Sequence, residues 1–450
     1  MRILRRLAMI EQLFLVLMGL SFGWMVLLAL IFFSKIKLSE NFLSQAVKYY
    51  SLIVVTVAFV LFCKTWIHSP SVILLDYNDW ITVGSYRFKI RSIVDLLGSS
   101  YALLSAALIS IIFKFSRNYL HKEEGYFRFI FLLSTLMFGL FVVSFSRALD
   151  QLFIGWELVG TASILLIGYF YAQVQPVKHA IKAIISYRLC DMGILAAGAW
   201  AHHYLHTTDF VAMPTMLAHA HHGGNALIFI GIFIIWASLA KAGQLPMSSW
   251  LPTAMEGPTP SSAIFYGALS VHLGPLLLIR MYKYFEHFPS LLIAIAVIGA
   301  VSAVYASLVG RTRSDAKTML AYATISQVGI MYVEIALGYT NFAIFHIFAH
   351  ASLRTFQFLR SSSLIQDFFE NPLVQQNTRI NRKLSVESFF SSERKRKVFI
   401  HALHGFHLDY ITSRIIAGIC FPFKKYMEME DEWMKWDNNF LRKLFRKGPL

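Results

Sequence analysis

Residues Phe153–Asp191 read FIGWELVGTASILLIGYFYAQVQPVKHAIKAIISYRLCD. The stretch sets a carboxylate, Glu157, inside a run otherwise built of lipid-compatible side chains. An ionisable group at membrane depth is costly, so one that persists is expected to be paired and functional. Gly155 and Gly160 flank Trp156–Glu157 and allow a neighbouring helix to come close. Two roles fit Glu157. It is either a protonatable relay, tuned by loss of water and by a nearby cation, or a structural ion pair that locks two helices.

The rest of the chain has the same character. Of its 450 residues 56% are hydrophobic and only 15% charged, with a mean hydropathy of +0.56. That is too little charge for a soluble domain and points to a polytopic membrane protein. Lys+Arg number 41 against 25 Asp+Glu, a formal charge of +16. The basic residues lie between apolar runs and toward the C-terminus, which marks cytoplasmic loops rather than nucleic-acid binding. Cys63, Cys190 and Cys420 are scattered without a CxxC, which excludes a Cys-ligated cluster or zinc site. The basic start Met1–Arg6 leads into a long run read as a retained span, not a cleaved signal.

About eleven runs are long enough to cross a bilayer. They lie near Leu13–Phe33, Tyr50–Ile67, Val94–Phe113, Phe129–Ser146, Leu152–Tyr171, Ala180–Trp200, Ala226–Leu245, Ala263–Met281, Leu291–Val309, Ala321–Leu337 and Phe342–Leu364. The expected fold is therefore all-α, with two exceptions. Ser71–Arg91 alternates around Asp76–Asp79 and Gly84, as a small β-hairpin outside the bilayer does. After Leu364 the chain turns polar and basic, and Val398–Phe423 carries His401, His404, His407, Asp409 and Arg414, too much charge for a span. It reads as an interfacial amphipathic element. Trp433, Trp436 and Phe440 among charges fit a surface-lying helix in Lys424–Leu450. Three regions result: 1–93 with the first helices and hairpin, a core over 94–366, and a basic tail over 367–450.

Loop charge sets the expected orientation. Lys114–Arg128, Lys178–Lys182, Arg311–Lys317 and the tail after Asp367 are basic, whereas Thr207–Gly224 and Gly338–Asn341 have no Lys or Arg. This places the tail in the cytoplasm. The N-terminus then faces outward, against the pull of Arg2, Arg5 and Arg6. The tail offers a docking surface for a soluble partner; a positive-inside tail without a partner fits as well.

Further polar residues sit in the apolar runs. Lys241 precedes a dense set of helix breakers, Gly243, Pro246, Pro252, Gly257, Pro258 and Pro260. A helix broken near Pro246 at membrane depth needs protein or water to satisfy its freed backbone groups. A lysine beside such a break is placed to exchange protons with a wet cavity; the alternative is a side chain that snorkels to the interface. His346, His350 and Arg354 recur every four residues, on one helix face. Histidine titrates near neutrality, so a stacked pair suits proton hopping. The HxxxH spacing also suits zinc, but Ile347 stands where a zincin has glutamate. His272 is a weaker candidate. Arg188 and Asp191, one turn apart, are expected to pair; Lys317 and Glu334 would extend the polar line. His202, His203, His206, His219, His221 and His222 gather around one connection and read as a solvated loop rather than a metal site. No phosphate loop, nucleophile triad or catalytic carboxylate pair stands out, so no cofactor is expected on this chain.

Several stretches, from about Trp80 to Asp367, resemble a known family. They are SRNYLH at Ser116–His121, QLFIGWELVG at Gln151–Gly160, AKAGQLPMSSWLPTAMEGPTPSSA at Ala240–Ala263, RTRSDAKTMLAYATISQVG at Arg311–Gly329 and FHIFAHASLRTFQFL at Phe345–Leu359. They look like the antiporter-type membrane subunits related to NADH-quinone oxidoreductase subunit 5 and to the large subunit of Mrp-type cation/proton antiporters. The resemblance implies inverted repeats, helices broken at mid-membrane and protons moving along a buried Glu/Lys/His chain. It puts the family's essential glutamate on Glu157 and its first broken-helix lysine on Lys241. Arg188, Asp191, Lys317, His346 and His350 fall on other polar family positions. Tyr266 stands where the family commonly has histidine, Arg354 replaces the central lysine, and the family pattern continues through further helices. HGFHLDYITSRIIAGICFPF at His404–Phe423 resembles the family's late C-terminal part, as if the middle were deleted.

The first expectation is a proton-translocating membrane subunit of a complex I-like assembly in a bacterial inner membrane, with other membrane subunits or a large cytoplasmic protein as partners. Glu157 and Lys241 would form the switching pair and His346 and His350 would carry protons onward. Two alternatives share the fold: the membrane subunit of a two-component inorganic carbon (bicarbonate/CO2) transporter, and a non-conducting scaffold.

Overall fold

A computed structural model describes residues 2–36, 38–67, 72–83, 86–219, 224–362 and 392–408, with 410, 414, 418 and 425. The expectations for His221, His222, Cys420, Trp433, Trp436 and Phe440 fall outside these residues, as does most of the tail.

The chain is an all-α polytopic membrane protein. Its helices are α1 (Arg2–Phe33), α2 (Glu40–Ile67), α3 (Leu96–Tyr119), α4 (Tyr126–Phe145), α5 (Leu149–Ile167), α6 (Val174–Leu205), α7 (Ala212–His219) and α8 (Gly224–Ala242). After short turns follow α9 (Trp250–Thr253), α10 (Thr259–Ser262), α11 (Leu273–Arg280), α12 (Tyr282–Phe285), α13 (Pro289–Gly310), α14 (Ala316–Ala336), α15 (Thr340–Ser361) and α16 (Ser392–Leu403). Within the described residues each of the eleven apolar runs lies mainly on helical structure. Among the described residues eight segments are long and apolar enough to cross a membrane: α1 from Ala8, α2 to α5, Thr259–Arg280, α13 and α14. The other three runs fall on α6 and α15, which carry buried charge, and on the shorter α8.

Local chemistry sets the boundaries. The Asp95 carboxylate accepts from Gly98 N at 2.8 Å and starts α3; Asp315 does the same for α14 through Thr318 N. Pro289 opens α13, where its missing N–H costs nothing. Gly243 ends α8 at φ +61°, a backbone conformation that glycine adopts without strain. Beyond it the chain is irregular through a cis Leu245–Pro246 bond and short turns.

The freed groups at this break are satisfied by protein. Leu245 N donates to Ser302 Oγ at 3.0 Å, Gln244 Nε2 donates to the carbonyls of Ala242 and Ile325, and Trp250 Nε1 donates to Ala240 O at 2.9 Å. The following span is itself interrupted by a π-helical stretch, Ala263–Ala268, and a 3-10 turn, Ser270–His272. Tyr101 caps that distortion by donating to Leu269 O at 2.7 Å. This broken segment is almost wholly enclosed, while α1, α2 and α13 expose broad apolar faces. Glycines let neighbouring backbones touch, Gly155 against Gly139 O and Gly329 against Gly299 O.

The expected hairpin is present and runs further than its alternation indicates. Strands β1 (Ile73–Val83) and β2 (Tyr86–Val94) are antiparallel, with Ile73 opposite Val94 and an irregularity between Asp76 and Ile81. Arg147 ties the hairpin to the helices, reaching Asp76 at 3.1 Å and Asp209 at 2.7 Å. The charge run at Arg394–Lys397 lies in α16, whose end brings Phe406 to 6.1 Å from the Tyr305 ring on α13.

Candidate functional site

The faces of α5, α6 and α8 bring the first cluster together, with Arg188 at its exposed edge. The Arg188 guanidinium on α6 binds the Glu157 carboxylate on α5 through Nη1 and Oε2. Glu157 Oε1 is buried and bonded to no protein group. One residue earlier on α5, Trp156 Nε1 donates to Asp191 Oδ1 at 2.6 Å, and Asp191 is 3% exposed. The expected pairing of Arg188 with Asp191 is therefore corrected. Facing partners on α5 claim both side chains, Glu157 taking Arg188 and Trp156 taking Asp191.

Lys241 is wholly buried and enters this cluster from the last turn of α8. Its Nζ donates to Trp156 O at 3.2 Å and lies 4.1 Å from the centre of the Tyr187 ring and 5.5 Å from that of Trp156. An aromatic face stabilises an ammonium that has lost its water. Gly160 leaves room for it: a Cβ there would stand 2.6 Å from Nζ, so the ammonium would have to shift. Lys241 and Glu157 make no ion pair in this state: the glutamate is held by Arg188 and the lysine by the α5 backbone and two rings.

The second cluster joins the broken segment to α15. His272 and His350 are buried, at 0% and 5% exposed, and His272 Nε2 lies 2.9 Å from His350 Nδ1. Arg354 Nε donates to His350 Nε2 at 3.2 Å, and His272 Nδ1 meets Ala268 O. Because Arg354 can only donate, the tautomers follow: His350 donates to His272, and His272 donates to the carbonyl. Arg354 Nη1 is held by Gln357 Oε1 at 2.7 Å.

His346 lies one turn before His350, with ring centres 6.2 Å apart. Its nitrogens face two oxygens, Glu334 Oε1 at 2.8 Å and Gln327 Oε1 at 3.1 Å. Satisfying both takes two N–H groups, the imidazolium; the neutral ring needs the Gln327 amide turned over. The two clusters meet at the break. The Tyr187 hydroxyl, beside Lys241, sits near those of Ser163 and Ser270 without closing a hydrogen bond to either. Ser270 is two residues before His272. Gly274, two after it, packs against Ser238 O and Ala242 of α8.

Of the residues singled out from sequence, Glu157, Arg188, Asp191 and Lys241 form one cluster and His272, His346, His350 and Arg354 the other. Lys317 joins neither. It sits in the first turn of α14, roughly 25 Å along the helix from Glu334 at 1.5 Å per residue. Sequence reasoning missed Trp156 as the bridge between Asp191 and Lys241, and Gln327 and Tyr187 altogether. Each is a polar-tipped side chain in an apolar run, which was the available signal. Glu334, expected to extend the polar line, binds His346. Of the histidine-rich connection, His202 comes within 3.6 Å of Asp150.

Residues 146–387, more than half of the chain, match the family described as NADH:quinone oxidoreductase/Mrp antiporter, TM. Similar proteins include the chloroplastic NAD(P)H-quinone oxidoreductase subunit 5 of Mesostigma viride, 31% identical over 313 residues, covering 68% of this chain and 48% of the relative. NADH-quinone oxidoreductase subunit L of Rickettsia conorii is 30% identical over 373 residues, covering 81% and 56%. The chain thus spans about half the length of these relatives. A chain in the structure of the Mrp complex from Dietzia sp. superposes with a TM-score of 0.66 at 22% identity, covering 78% of this chain and 37% of that one, and so shares the fold. The chain belongs to the NADH:quinone oxidoreductase/Mrp antiporter transmembrane family, as the broken helix at Lys241 and the Glu157 motif lead one to expect.

Proposed function

We propose that the chain is a proton-translocating membrane subunit of a complex I-like assembly, with other membrane subunits as its partners. One observation carries the reading: two clusters of titratable groups, buried except at Arg188, meet across a broken helix. Lys241 stands at the junction, bonded to the residue next to Glu157 and stacked on Tyr187, whose hydroxyl points toward the segment that bears His272. Unbonded hydroxyls of Tyr187, Ser262 and Ser270 are what an internal water link would bind.

The cycle follows from charge. While Arg188 holds Glu157, no carboxylate is bonded to Lys241, which can then release its proton toward His272. When Glu157 leaves Arg188 and turns to Lys241, the ammonium is favoured again and a proton is drawn in. His350 and His346 extend the route along α15, and Arg354 is a fixed positive charge that orients His350. The basic tail would face the cytoplasm of a bacterial cell.

The test is proton flux in proteoliposomes holding the assembled complex. Lys241→Met should abolish flux and Glu157→Gln should cut it severely while the complex still assembles. Unchanged flux in both variants would leave only a scaffold.

A further inference from the structure

Between α2 and α3, away from the proton route, lies a groove of about 560 Å³. Its walls are aliphatic, with Val47 and Val55 from α2 and Ile111 from α3. One end is lined by three cations, Lys48 on α2 and Lys114 and Arg117 on α3. All three are exposed, and none forms an ion pair among the described residues. Glu40, a carboxylate at this end, is turned aside to His121 Nδ1 at 2.9 Å and Lys122 N at 3.3 Å. Glu123 and Glu124 follow in the next loop but do not line the groove.

We propose that this groove is a binding site for one anionic phospholipid, its phosphodiester between Lys48, Lys114 and Arg117 and an acyl chain along the aliphatic walls. Charge complementarity selects this occupant. A zwitterionic lipid leaves the three cations uncompensated, and an apolar partner helix would have to bury them. An anionic headgroup neutralises them where chain and headgroup boundaries meet. The Tyr126 hydroxyl, bonded to Ser44 Oγ at 3.0 Å, adds a polar contact at the same end.

The test uses the complex reconstituted into vesicles of phosphatidylglycerol and phosphatidylcholine, with a photoreactive amino acid in place of Leu52 on the exposed rim. Adduct masses should show phosphatidylglycerol over phosphatidylcholine by on the order of 100-fold relative to the bulk bilayer, given roughly fivefold for each of the three cations near the surface. The combined Lys48→Gln, Lys114→Gln and Arg117→Gln variant should lose that preference. All three positions are exposed, so the fold is expected to survive. Ile111→Trp keeps the charges but fills the walls, and should lower total lipid adduct. The proposal falls if the ratio matches the bulk, if the triple variant keeps the preference, or if Ile111→Trp changes nothing. It also falls if inorganic phosphate at millimolar levels erases the preference, which marks a free-anion site. A polypeptide adduct in place of lipid would assign the groove to a neighbouring subunit instead.

Discussion

His350 Nδ1 lies 2.9 Å from His272 Nε2, although 78 residues separate them in the chain. The contact exists because the break after α8 returns the chain through the centre of the bundle, where a π-helical stretch aims His272 at α15. With Arg354 donating to one end of the pair and Ala268 O accepting at the other, protons in this pair all point one way. A proton arriving at one ring must be passed on before the pair returns to that arrangement.

Replacing either histidine should therefore break the route without touching Lys241. His272→Ala or His350→Gln is expected to lower proton flux about 100-fold, the lower range for loss of a positioned proton-transfer group. Flux assays on the assembled complex check this; wild-type flux in both variants would place the route elsewhere.

Gly160→Ala tests the seat of the lysine. A Cβ there would meet Lys241 Nζ at 2.6 Å and push the ammonium off Trp156 O. Overpacking of this kind costs about 1–3 kcal/mol, so the melting temperature should fall modestly while flux falls much further. Equal, small losses in both would show that the lysine relocates without consequence.

Trp156→Phe removes the donor to Asp191 and keeps the ring. A hydrogen bond to a charged group contributes about 1.5–3 kcal/mol, and thermal unfolding in detergent should report a loss of that size. Asp191→Asn in the Trp156→Phe background should then cost less than Asp191→Asn alone, since the two changes remove the same bond.

Arg354→Lys restores a side chain that can lose its proton, where Arg cannot. The Gln357 and His350 contacts depend on the guanidinium fork, so stability should drop slightly while proton flux holds or rises. Loss of flux equal to that of Arg354→Ala would mean that the fork geometry matters more than the charge.

Far from the route, Arg280 binds both oxygens of Asp95 and also Ser144 O, and is nearly enclosed. Arg280→Met should destabilise the fold by about 3 kcal/mol, because it strands a buried carboxylate. Adding Asp95→Asn should recover part of the loss in the same unfolding measurement.

Much of this architecture was legible in the residues. Twenty apolar residues in a row have few options in a bilayer other than a helix, so the runs mapped onto helices. The breakers after Lys241 announced an interrupted segment, though not the second distortion at Ala263–Ala268, which has no proline of its own. The hairpin was visible in its alternation, but its extension to Val94 depends on Ser92 bridging to Ser146, a residue on another element.

The site was legible as a set of residue types and not as a set of contacts. Arg188 was expected to bind Asp191 because only intrahelical spacing can be counted along a chain; which face of α5 meets it is a packing fact. His272 looked like a single histidine in an apolar run because its partner lies on α15. Lys317 looked like part of the line because its place at the far end of α14 is invisible without the helix's direction in the bundle.

What the amino-acid order determined by itself was membrane residence, the helix inventory, the break beside Lys241 and the polar residues set within apolar runs, since these depend on local hydropathy and backbone chemistry. Tertiary structure alone decided that Arg188 takes Glu157, that Asp191 takes Trp156, that His272 meets His350 and that Lys317 is left out. Those pairings are set by how helices face one another across a few ångströms, a distance that position in the chain does not encode.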